Sequence, residues 1–137
     1  MPAERIDSLR LDGTSSQKEI DHFLETVTLA RAKASDISVE GKALTASLKL
    51  ARRPPFRLLG IRIWTDWGGK RKKAKLRVED VLSHEVENRS RGAELVLGAT
   101  LAQSGQGFRF ALAAYEDDFR VIVCVGSINM SLQIGTD

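Results

Sequence analysis

Near residue 34 the hydrophobic period of this chain drops from about 3.6 to about 2, and no other feature restricts its fold so much. Before that point Ile20, Phe23, Leu24, Val27 and Ala30 recur at helical spacing and make one apolar stripe. Ser16-Gln17-Lys18-Glu19 fits a capping box, in which a serine hydroxyl and a glutamate side chain satisfy free N–H groups at a helix start. Arg31 and Lys33 would then complement the helix dipole in the last turn. The spacing predicts one amphipathic helix from Ser16 to near Ala34. Ahead of it the chain is polar, although Leu9 and Leu11 could start a strand.

After that point the residues alternate. Leu44, Ala46, Leu48 and Leu50 interleave with Thr45, Ser47 and Lys49, following a short run Ile37-Ser38-Val39. Glu94–Gln103, Phe108–Ala114, Arg120–Val125 and the segment around Met130, Leu132 and Ile134 repeat the pattern between turns of Gly, Ser, Glu and Asp. Glu79 to Arg91 fits a short helix or a loose strand equally well. A helix followed by an antiparallel meander implies an α+β fold. The expected architecture is one N-terminal amphipathic helix packed on a curved or partly closed antiparallel sheet of about six or seven strands. With no linker or repeat in view, residues 1–137 read as a single domain. Arg120–Val125 is apolar on both faces, which predicts a central, doubly covered strand. The small residues Gly98, Ala102, Ala111 and Ala113 would admit a second copy, so a homodimer formed by sheet packing is one expectation.

Charge is distributed unevenly. The net charge is +3, yet Ala51 to Arg77 alone carries +9, with ten basic residues and one acid, Asp66. Such asymmetry suggests an anionic partner. At its centre stands WTDWGGKRKKAKLR, residues 64 to 77. Gly68-Gly69 reads as a two-residue hairpin turn, because glycines accept the positive φ that tight turns require. The implied register sets Thr65 against Lys72, Ile63 against Ala74, Ile61 against Leu76 and Leu59 against Val78 on an apolar face. The opposite face holds Asp66 against Arg71, Trp64 against Lys73, Arg62 against Lys75 and Gly60 against Arg77. Arg62, Trp64, Trp67, Lys70, Arg71, Lys72, Lys73, Lys75 and Arg77 are therefore the candidate anion-binding residues. The cations would meet phosphates and a tryptophan would stack on a base. The competing reading is that the lysines only protect an exposed edge strand.

Enzyme chemistry finds little support. His22 and His84 have no positioned nucleophile near them in sequence, and no hydrolase elbow, zinc-protease or phosphate-loop motif is present. Cys124, the single cysteine, precludes an internal disulfide and multi-cysteine metal sites, and its apolar strand suits an inert thiol. Glu116-Asp117-Asp118 lacks calcium-loop spacing. Neither a signal peptide nor a transmembrane run is visible, so the expected location is cytoplasmic. No cofactor is implied. The sequence reads as a non-enzymatic binding or assembly module using a basic hairpin, Arg62 to Arg77, for nucleic acid or an acidic protein. The alternatives are a self-associating structural sheet protein and a small ligand-binding or enzymatic barrel with His84 or His22 in its cavity.

Overall fold

In the computed structural model of the chain, residues 7–51, 56–63, 72–89, 92, 94–116 and 118–135 are described. A strand, β1 (Asp7–Leu11), precedes the helix α1 (Gln17–Val27), so the helix is not the first element. The capping box forms as expected. The Ser16 hydroxyl accepts from the Glu19 N–H at 3.2 Å, and the Glu19 carboxylate accepts from the Ser16 N–H at 3.1 Å. The helix ends at Val27 rather than near Ala34. Leu29 takes a left-handed φ of 70° and its N–H bonds the Leu97 carbonyl at 2.8 Å, turning the chain into a short strand, β2 (Ala30–Ala32). Ala30 and Ala32 are both buried, so alternation rather than the helical stripe decides this segment.

Two strands follow, β3 (Ile37–Glu40) and β4 (Ala43–Leu50), joined at Gly41 with a φ of 59°. Next come β5 (Phe56–Leu58), β6 (Ile61–Ile63), β7 (Lys72–Val78) and β8 (Val81–Asn88). The remaining strands are β9 (Leu95–Ser104), β10 (Gly107–Ala114), β11 (Phe119–Val125) and β12 (Met130–Gly135). The fold is mostly antiparallel sheet with one α-helix among the described residues, as an α+β class requires. Its main sheet has ten strands, not six or seven, ordered β1-β12-β7-β4-β2-β9-β10-β11-β8 with β3 added on β4. The difference lies in β1 and β2, of five and three residues, too short to declare a period, and in β8. In β8 only Val81 is buried, so no alternation marks it.

Three inner rungs carry much of the core. Leu11, Met130, Val78 and Leu44 stand side by side across four strands, and Leu132, Leu76 and Ala46, then Ile134, Ala74 and Leu48, across three of them. All of these are buried. The helix contacts β9 and β1 and adds Phe23 and Val27 to the same cluster. Full burial of each Leu-sized side chain contributes about 1.5–3 kcal/mol.

Only Glu79 and Asp80 separate β7 from β8, although the two strands lie in distant parts of the sheet order. The link works because β11 and β12 make the same turn beside them. Glu79 N–H bonds the Asn129 carbonyl at 2.9 Å, Gly126 N–H bonds the Asp80 carbonyl at 3.1 Å, and the Ser127 hydroxyl donates to the Asp80 carboxylate at 2.8 Å. Asp80 sits at a φ of 59°, and a register shift at Cys124/Val125 marks the bend. One continuous two-stranded ribbon is thus folded over a corner.

The strand Phe119–Val125 is not central. It lies second from the end, between β10 and the edge strand β8. Its inward residues Val121, Val123 and Val125 are buried, and so is Ile122 on the other face, at 7% exposure. That second burial, with no central position, explains why its apolar run misleads.

Candidate anion-binding face

The basic tract keeps its expected alternation and changes its partners. Ala74, Leu76 and Val78 are buried, whereas Lys73, Lys75 and Arg77 are exposed. Among the described residues β6 does not pair with β7. Lys75 lies between Gln133 and Ser47 rather than opposite Arg62, and Arg77 lies between Ser131 and Thr45 rather than opposite Gly60. Ile61 pairs with Leu58 and Ile63 with Phe56, so the expected partners Leu76 and Ala74 are both taken elsewhere. A tight turn at Leu59-Gly60, with φ values of 54° and 80°, closes β5 on β6. Two positive φ values fit the primed turns that match strand twist. Arg62 lies on β6 and pairs with Arg57. Trp64, Trp67, Lys70 and Arg71 lie outside the described residues, as do Asp66 and the Gly68-Gly69 turn. Lys72 is half-buried at the start of β7, beside Leu50.

Strand β7 pairs with β4 on one side and β12 on the other, so it is an interior strand. Lys73, Lys75 and Arg77 therefore protect no edge. The edge of this half of the sheet is β1, and the far edge is β8 with Glu85 and Glu87.

Register brings further cations to the tract. Arg31 of β2 is the partner of Lys49 on β4, and Lys49 is the partner of Lys73 on β7. Three like charges therefore stand directly abreast on adjoining strands, roughly 4.8 Å apart at the backbone. Opposed like charges destabilise a sheet. Glu94, at the start of β9, relieves part of this. It lies 3.6 Å from Arg31 and 3.4 Å from Lys49, both exposed pairs. Arg77 is paired with Glu79 at 2.9 Å, while no ion pair involving Lys75 forms among the described residues.

These side chains surround a groove of about 490 Å³. Its described lining includes the cations Arg31, Lys33, Lys49, Lys73 and Lys75 against two carboxylates, Asp36 and Glu94. Asp36 already accepts a hydrogen bond from the Lys33 backbone N–H at 3.0 Å. Ser47 and Gln133, on the Lys75 rung, add neutral hydrogen-bonding groups. Of the expected site residues, the structure brings Lys73 and Lys75 here. Arg31, Lys33 and Lys49 were missed. Lys49 was legible as an outward residue of Ala43–Leu50, but nothing in the sequence says that β4 lies beside β7. Arg31 was hidden by its apparent place in the helix.

The histidines stand apart from this face. His22 is half-buried on α1, where the Thr26 hydroxyl donates to its backbone carbonyl at 2.7 Å. His84 is exposed on β8, at a second groove of about 230 Å³ with Ser83, Arg109 and Cys124. Cys124 is the partner of Ser83 and His84 the partner of Val123, so the thiol and imidazole start from opposite faces of the pleat. Among the described residues no three His, Cys, Asp or Glu gather as a metal site, and no helix is long and apolar enough to cross a membrane. Comparison with protein-family models, curated proteins and solved structures finds no match to the chain.

Proposed function

We propose that this protein is a binding module whose basic sheet face, centred on Lys49, Lys73 and Lys75, takes the phosphate backbone of a nucleic acid. The observation that carries this reading is the row Arg31, Lys49 and Lys73, three cations abreast on interior strands. Such a row offers no edge protection, and an anion laid across it would meet all three side chains. Along β7 the outward cations recur every second residue, roughly 6.7 Å apart, and form a column beside the row. A polyanion lying along the column meets one cation after another.

Fluorescence anisotropy with labelled single-stranded and duplex oligonucleotides tests the reading, with wild type compared with Lys73→Glu/Lys75→Glu at two salt concentrations. Binding should fall steeply with salt, and for a single strand the slope should drop by about 0.7 for each phosphate that the variant no longer neutralises. No binding at low salt by the wild-type protein would sink the proposal and turn attention to an acidic protein as partner.

A further inference from the structure

We infer that the β5–β6 hairpin is a membrane anchor whose tip, Leu59 and Ile61, enters the surface of a bilayer containing anionic lipid. Its residues form a two-stranded sheet of their own, outside the ten-stranded one, so the proposed function does not depend on them.

The tip breaks two rules at once. Leu59 and Gly60 both take a positive φ, 54° and 80°. A turn of this kind favours Asn or Asp before Gly, because a left-handed backbone crowds the side chain and only a short polar one compensates by local hydrogen bonding. Leucine has no such compensation. Burial does not supply it either, since Leu59 is 93% exposed and Ile61, just past the turn, is 65% exposed. One exposed leucine is ordinary on a protein surface. A leucine that is also held at a left-handed φ costs stability through its backbone and returns none through packing. Such a residue points to a use outside the fold.

The order of rungs behind the tip selects the partner. Leu58 pairs with Ile61, Arg57 with Arg62, and Phe56 with Ile63. The arginine rung therefore lies roughly 3.4 Å behind the Leu58–Ile61 rung and about 7 Å behind the tip. Apolar groups that anchor at an interface sit about 5–10 Å into the boundary between headgroups and acyl chains. A tip at that depth sets the arginine rung level with the lipid phosphates. From Ala51 to Thr65 the chain has no acid, while Arg52, Arg53, Arg57 and Arg62 fall within it. An anionic leaflet attracts a segment of that composition. A protein partner fits less well, because a two-residue tip is small beside the roughly 1,200–2,000 Å² that a stable protein interface buries.

Leu59→Asn separates membrane binding from folding, since it supplies the Asn-Gly pair that this turn prefers and removes the apolar tip. The measurement is co-sedimentation with phosphatidylcholine vesicles, with and without phosphatidylserine, alongside thermal unfolding. Wild type should pellet with the phosphatidylserine vesicles and far less with phosphatidylcholine alone. Leu59→Asn should weaken that binding about tenfold while keeping or raising the Tm. Leu59→Phe should keep the binding, and Arg57→Gln/Arg62→Gln should remove the preference for phosphatidylserine. Vesicle binding that survives Leu59→Asn but is lost in Lys73→Glu/Lys75→Glu would overturn the inference and assign lipid contact to the basic sheet face. Equal binding of wild type to both vesicles would overturn the anionic-lipid part. No pelleting with either vesicle would overturn the inference outright and leave a protein as the partner of the tip.

Discussion

Strands β7 and β8 are consecutive in the chain, two residues apart, and have opposite fates. The first, KKAKLRV, lies between two neighbours, buries every second residue and presents cations outward. The second, VLSHEVEN, pairs on one side alone among the described residues, buries only Val81 and presents Glu85 and Glu87. Leu82 and Val86 on it are 67% and 54% exposed. The contrast separates two uses of surface charge. Charge on an edge strand has a sufficient explanation in preventing unwanted pairing. On an interior strand it guards no edge, so its outward display calls for another explanation.

The largest effect expected from this contrast is on stability. Leu76 is 1% exposed, so Leu76→Ala should cost about 2–5 kcal/mol in urea denaturation. Val86→Ala on the exposed strand should change stability by no more than about 0.5 kcal/mol, and a comparable loss would mean that β8 is buried in an assembly. Binding comes next. Lys73→Glu/Lys75→Glu should lower oligonucleotide affinity by on the order of 100-fold, whereas Glu85→Gln/Glu87→Gln should not lower it. Equal losses in both variants would show that the face is not the contact surface.

Edge protection is tested by removing it. Glu85→Val/Glu87→Val should give a concentration-dependent mass in sedimentation velocity, at concentrations where the wild type shows none. The smallest effect is also the sharpest. Ser47 is exposed and directly opposite Lys75, so Ser47→Glu should stabilise the free protein by about 0.2–1 kcal/mol while weakening oligonucleotide binding. A stabilised variant that still binds normally would remove the link between local repulsion and function.

How much of this was readable in the chain can be followed residue by residue. Ser16 and Glu19 announced the helix start because capping is local chemistry between residues three apart. The inward and outward assignments of β4, β7, β9, β10 and β12 followed from alternation, again a local property. Partnership is not local. Lys70 to Val78 reads as the second half of a hairpin because the segment before Gly68-Gly69 also alternates. Lys75 nonetheless pairs with Gln133 and Ser47, and no pattern within the tract encodes either. The candidate face inherits this limit. Lys73 and Lys75 could be named from their own strand, but Arg31 and Lys49 join them only through pairing between strands remote in sequence.

The pairing of β1 with β12 has a consequence in time. Leu9 faces Leu132, and β12 in turn holds β7, so the strand nearest the end of the described chain lies between the first strand and the basic one. Contacts so distant in sequence form late and slowly, because a long loop must close before any pairing rewards it. During synthesis β4 and β7 can meet, but β7 keeps an open side until residues 130–135 emerge. Until then Lys73, Lys75 and Arg77 do guard an edge. The same three side chains thus protect the nascent chain and, once β12 docks, become the face of the mature fold.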